Sequence, residues 1–242
     1  MANSLRPMSS VPRVAWLLLA CALLLQLGWR WNQNNGPARA QPLPAPPPLA
    51  AVRLASLGDP LAMAKGWLLY LQAFEDQPGV SLPWRSLDYD HLANWLETGL
   101  ALDPRSRYAL VAASEVYAGV SDPVRTRRML DFVARSFIGD PVHRWPAMAQ
   151  ATLTAKHQLH DLPLALAYAR QLRLQTAGVP VPPWVREMEA FILEDMDQLD
   201  SAQIVLGGLI QDGQITDPHE LAFLARRLDT LARKKTLLKN VQ

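Results

Sequence analysis

Aspartate followed by proline recurs at Asp59-Pro60, Asp103-Pro104, Asp122-Pro123, Asp140-Pro141 and Asp217-Pro218, and this punctuation constrains the fold more than any other feature. An Asp side chain accepts from the free N–H groups of a helix start, and Pro fits the first helical turn, where its missing N–H costs nothing. Each pair therefore predicts a helix beginning. Arg105–Gly119 carries Leu110, Ala113, Ser114 and Tyr117, and Val124–Ile138 carries Met129, Leu130, Val133 and Phe137. Both runs have apolar residues at helical spacing, and Gly119 stands where a C-cap belongs. Two such helices make a hairpin.

The pattern extends both ways. Asp59-Pro60 opens a helix with Leu61, Trp67, Leu68, Leu71 and Phe74 at core spacing, and Asp88–Leu102 is its partner, with Leu92, Leu96 and Leu100 on one face. Between them lies an interruption, Asp76 to Leu87, containing Gln77-Pro78-Gly79 and Leu82-Pro83-Trp84-Arg85. A third pair runs His143–Leu159 and Asp161–Ala177 through a tight turn at His160-Asp161, and a fourth Trp184–Leu199 and Ser201–Gln211. Residues 217–235 form a last amphipathic helix, with Leu221, Leu224, Leu228 and Leu231 on its apolar side. The expectation is an all-α body over residues 58–236.

These spacings resemble the tetratricopeptide repeat. Leu92, Leu96, Gly99 and Pro104 have the spacing of that family's second helix and following proline, and Leu110, Ala113-Ser114 and Tyr117 match its first helix. Ala165-Leu166 with Tyr168 and Leu172, then Ala202 with Leu206 and Leu209, look like two more second helices, at a period of 37 residues where the family has about 34. Arg128 departs from the pattern, standing where a small residue should pack, and so does the long Asp76–Leu87 insertion. The resemblance implies a right-handed superhelix of antiparallel helix pairs, a TPR-like solenoid, whose final solitary helix caps the open face. It also implies an inner wall made by first helices, on which Arg107, Tyr108, Glu115, Gln150 and Thr154 are candidates to meet a partner.

The N-terminus differs in kind. Val14 to Trp29 is apolar except for Gln26 and is flanked by Arg13 and Arg30. Such a helix spans about 24 Å, and counting to Trp31 brings it near the roughly 30 Å of a hydrocarbon core. Trp16, Trp29 and Trp31 lie where interfacial aromatics are favoured. Residues 14–31 are thus read as a transmembrane helix lying in the lipid bilayer, residues 1–13 as a short cytoplasmic tail, and the bulk as extracytoplasmic. Two other readings compete: a signal peptide cleaved after Ala38-Arg39-Ala40, which would leave a secreted soluble repeat protein, and a lipoprotein modified at Cys21. Asn32–Leu57, with Pro42, Pro44 and Pro46-Pro47-Pro48, is expected to be an extended linker holding the body off the membrane.

Composition excludes several chemistries. Cys21 is the one cysteine, so the body has no disulfide framework and no cysteine metal site. A net charge of +2 argues against nucleic acid, despite the Arg125, Arg127 and Arg128 cluster and the basic stretch Arg226–Lys239. His157 and His160 are spaced to share a metal near a helix end, but no further ligand lies beside them in sequence. The string Glu194-Asp195-Met196-Asp197-Gln198-Leu199-Asp200 lacks the glycine and closing glutamate of a calcium loop and reads as a solvated acidic face. No nucleophile elbow, phosphate cradle or paired-carboxylate signature is present. The reading is of no catalytic residue, no metal and no cofactor.

One residue pair stands out for recognition. Trp84 and Arg85 sit in the long loop, and both residue types concentrate binding energy at interfaces; the plainer reading folds Trp84 back over the first hairpin. The function expected is a membrane-anchored, extracytoplasmic scaffold or adaptor that binds a protein or peptide partner in a bacterial envelope, its body in the periplasm and its anchor in the inner membrane. The rival is an envelope-polymer-binding or glycan-processing helical domain. A continuous open groove favours the scaffold, and an isolated pocket holding a carboxyl of raised pKa favours the rival.

Overall fold

The computed structural model describes residues 12–32, 39–213 and 215–239. They are all-α: eleven α-helices, with β-structure among the described residues confined to two strands of two residues each, Asp76–Gln77 and Val80–Ser81. The chain divides into two compact units, the first centred on the N-terminal helix and the second running over Gln41–Gln77 and from Ser81 onward.

The first helix, α1 (Arg13–Asn32), is long and apolar enough to cross a membrane from Arg13 to Trp31, and none of that span is covered by protein. Its 20 residues reach about 30 Å. The expected tail, up to Val11, and Ala38 of the candidate cleavage site lie outside the described residues.

In the second unit the expected linker takes a different form from Gln41 on. Residues 41–48 are extended but docked: Leu43 is only 1% exposed, its carbonyl lies 2.8 Å from His91 Nδ1, and Trp95 Nε1 donates to the Pro44 carbonyl at 2.7 Å. The Gln77 side chain both accepts from the Gln41 N–H (2.8 Å) and donates to its carbonyl (2.9 Å). Then α2 (Leu49–Ala55) begins directly after Pro48 and buries Val52 against Ala64 and Leu102. Proline removes donors but leaves every carbonyl able to accept, and here indole and imidazole side chains supply the donors. The segment is a strap rather than a free spacer.

The helices that follow are α3 (Pro60–Ala73), α4 (Tyr89–Leu102), α5 (Tyr108–Val111), α6 (Pro123–Gly139), α7 (Pro141–His157), α8 (Leu162–Gln175), α9 (Pro183–Asp195), α10 (Leu199–Gln211) and α11 (Pro218–Lys239). From α6 on, each packs against the next in sequence, and α3 packs on α4. The caps behave as the Asp-Pro pairs predict at four places: Asp59 accepts from Ala62 N–H, Asp122 from Val124 and Arg125, Asp140 from His143, and Asp217 from His219.

Asp103-Pro104 does not start a helix. Asp103 ends α4 by donating its N–H to the Gly99 carbonyl, a turn follows, and α5 begins at Tyr108, where the Ser106 hydroxyl takes the first N–H. Nor is Arg105–Gly119 one regular helix. After α5 the backbone widens into a π turn over Ala112–Val116 and tightens to 3₁₀ over Tyr117–Gly119. The widened turn lets Ala112, Ala113, Ser114, Tyr117 and Ala118 all reach the core. A uniform helix would have rotated some of them away from it. Elsewhere the tight α7–α8 turn falls at His160, which takes a left-handed φ of 52°.

A continuous core runs from Leu43 through α3–α8 to Val185, Met188 and Ile192 on α9. A second cluster joins α9, α10 and α11 through Leu193, Leu206, Leu224 and Leu231, and Leu166 touches both.

Candidate functional site

Helix α3 is apolar on more than the side that packs. Leu68 and Leu71 are buried, yet Leu61, Leu69 and Tyr70 are more than half exposed. Its face bearing Leu68, Leu71 and Gln72, with Glu75 in the turn just after the helix, lines a cavity together with Tyr108, Ala112 and Val116 on α5 and the π turn. That cavity, of about 220 Å³, is closed below by Leu96 and at one side by Trp84 and Tyr117. A second cavity of about 340 Å³ adjoins it, lined by Ala64, Lys65, Leu69, Asp103 and Ser106. The two share Leu68, Gln72 and Tyr108 as lining residues and lie side by side along α3, a pair referred to below as the trough.

Trp84 stands in a short 3₁₀ turn, Trp84–Ser86, pinned by the Ser86 hydroxyl donating to the Pro83 carbonyl at 2.7 Å. Its ring meets Tyr117 edge-on, with centroids 6.0 Å apart and planes at 71°. It remains 38% exposed, neither a sealed lid nor a free side chain. Burial holds the phenols of Tyr108 and Tyr117 above their ordinary pKa. Both stay neutral near pH 7, so the half-exposed Tyr108 hydroxyl is an available donor on an otherwise apolar wall. Below it, Tyr89, its pKa pushed up to about 12 mainly by burial, donates to the Tyr117 carbonyl at 3.0 Å and fixes the wall's end.

Of the expected site residues, Trp84 and Tyr108 meet in this trough. Arg85 and Arg107 are exposed beside them in sequence, and the Arg85 carbonyl accepts from Arg125. Glu115 is exposed on the π turn and lines neither cavity. On α7, Gln150 is half-buried, whereas Thr154 is buried at 7% exposure and Leu153, one residue away, faces out. Thr154 is thus turned into the body, with Leu153 beside it turned out. Leu68 was expected only as a core residue, and Gln72 and Glu75 carried no expectation, though the unbroken run Leu68-Leu69-Tyr70-Leu71 is wider than one core-facing stripe needs.

The charged clusters resolve into ion pairs. Arg125 pairs with Asp122 (3.4 Å), Arg127 with Asp161 (2.9 Å) and Arg128 with Asp90 (2.5 Å), so Arg128, where the resemblance leads one to expect a small packed residue, is held by an ion pair instead. The acidic string is not simply solvated. Glu194 pairs with Arg227 and Asp195 with Lys156, each at 2.5 Å, Asp197 with Lys234 at 3.0 Å, and Asp200 with Lys235. His157 and His160 are exposed, and among the described residues no three His, Cys, Asp or Glu side chains gather closely enough to hold a metal ion. The chain matches no protein-family model, no curated protein and no solved structure.

Proposed function

We propose that this protein is a membrane-anchored scaffold that captures an apolar, helix- or strand-forming segment of a partner protein in the trough between α3 and α5. The observation carrying this reading is the pair of adjoining cavities beside α3, with two aromatic side chains, Trp84 and Tyr108, presented half-exposed at them. Such side chains bring large contact area at small entropic cost and are where interface energy concentrates. The helix pairs are read as a TPR-like right-handed superhelix, with α3, α5, α7 and α9 as first helices and α11 as the cap. With α1 as the anchor and the short basic N-terminus inside, the body belongs outside the cytoplasm, in the periplasm of a Gram-negative cell. That layout is similar to bacterial inner-membrane adaptors.

The glycan-processing alternative needs a carboxyl of raised pKa in a pocket. Glu187 has such a pKa but lines neither cavity of the trough, so the scaffold is the better reading. The test is a photo-crosslinking residue at Tyr108, with Phe223 on α11 as an equally exposed control. A discrete crosslinked partner from position 108 in intact membranes, absent from 223 and lost in Trp84→Ala, is expected. Equal yields from both positions would refute the assignment.

A further inference from the structure

Outside the trough, the most unusual group in the body is Glu187. It lies on α9, is 1% exposed, and its Oε1 has no hydrogen-bond partner. A buried carboxylate normally has a cation beside it. Among the described residues no cation pairs with Glu187, and the ion pairs on the elements around it hold other carboxylates. On α8, Arg170 and Arg173 hold Glu189 at 3.0 and 2.6 Å. Arg186, the next residue, donates to the Thr176 and Val179 carbonyls. On α7, Lys156 holds Asp195. On α11, Arg227 holds Glu194, Lys234 holds Asp197 and Lys235 holds Asp200 of α10. What faces Glu187 instead is a second carboxyl, Glu220, in the first turn of α11 and within hydrogen-bonding reach. His219 and Asp217 adjoin it in sequence, the latter occupied in capping the helix.

We infer that the docking of α11 is proton-linked: Glu187 and Glu220 share one proton when the helix is seated, and α11 loosens when that proton is lost. Two carboxylates in contact out of water cannot both be ionised, whereas a carboxylic acid donating to a carboxylate is a strong hydrogen bond. Undocking α11 exposes Glu187 to water and frees it to ionise. Burial first, and Glu220 second, raise the Glu187 pKa from 4.5 to about 7. The seated form thus binds a proton that the released form gives up between those values. Docking is tightest at the acidic end, weakens as pH rises from about 4.5, and levels off above about 7. Each pH unit between those values is about a tenfold change in the docking equilibrium, so the fall is an order of magnitude or more. Leu224 and Leu231, both buried, and the three ion pairs of α11 keep the helix attached while it opens more often.

The experiment is hydrogen exchange on the full chain in detergent at pH 5 and pH 8, with each amide's protection corrected for the intrinsic pH dependence of exchange. In the wild type, protection over 221–235 should fall by about tenfold or more, while the α7 amides stay unchanged. Glu187→Gln, whose amide donates to Glu220 at every pH, should abolish the fall, and His219→Gln should leave it intact. A wild-type helix with equal protection at both pH values overturns the proposal, as does an undiminished fall in Glu187→Gln. Should Glu187→Gln fail to fold, Glu220→Gln decides: a reduced fall supports the shared proton, and an unchanged one refutes it.

Discussion

Replacing Trp84 with alanine separates the two roles its position allows. The ring is 38% exposed, so about three-fifths of it is covered by the body. A fully buried Trp removes roughly 200 Å² from water, which leaves about 120 Å² for this one. At about 25 cal/mol per Å² that is near 3 kcal/mol, reduced to about 2 because unfolded chains already bury some apolar surface. The edge contact with Tyr117 adds about 0.5–1 kcal/mol. The trough is open, so truncation leaves no sealed void and little further cavity cost. Trp84→Ala should therefore lower stability by about 2–3 kcal/mol, short of the upper end reached by a sealed aromatic core residue. The exposed remainder, about 80 Å², is what a partner would cover, worth about 2 kcal/mol or about 30-fold in Kd. Stability is read by urea denaturation of the full chain in detergent, followed by circular dichroism because eight tryptophans blur the fluorescence. Capture is read by crosslinking from position 108 under conditions where the variant is folded. A stability loss above 4 kcal/mol with undiminished capture would show that Trp84 only covers the core, and the trough would lose its principal anchor.

Three further outcomes are expected. Leu43→Ala, at a side chain 1% exposed, should cost about 2–4 kcal/mol in urea denaturation; a change under 0.5 kcal/mol would mean that the strap contributes nothing to the fold. Asp122→Ala removes the acceptor for two N–H groups at the start of α6 and should lower stability by about 1 kcal/mol, whereas Asp103→Ala, which caps no helix start, should change it far less. Cell fractionation should recover the protein with membranes, released by detergent and not by high salt or carbonate; a soluble form beginning at Gln41 would show that α1 is removed.

Most of the helices were legible because their signals are local. An Asp whose side chain meets N–H groups two or three residues on works the same way in any helical protein, and Asp59, Asp122, Asp140 and Asp217 all do so. Asp103 shows the limit of that logic. The same dipeptide there closes a helix, because α4 already ends at Leu102 and Ser106 is better placed to cap α5. Trp84 could be singled out by residue type and loop position and Tyr108 through the repeat resemblance, whereas α3's share of the trough could not. Which side of an almost wholly apolar helix is left uncovered depends on what packs against the other sides.

What the sequence by itself determined is the class of the chain and its punctuation: one membrane-length apolar helix, then an all-α body with its caps and tight turns. Hydrophobic period and capping chemistry act within a few residues, so they can be read along a line. Tertiary structure alone decided three things. Proline-rich residues 41–48 became a docked strap because Trp95 and His91, some fifty positions away, offer hydrogen-bonding partners to their carbonyls. The Ala112–Val116 turn widened so that more of its residues could reach a core built by other helices. Glu187 on α9 lost its solvent and met another acid, Glu220 on α11. In each case the deciding partner lies far along the chain, and only packing brings it within reach.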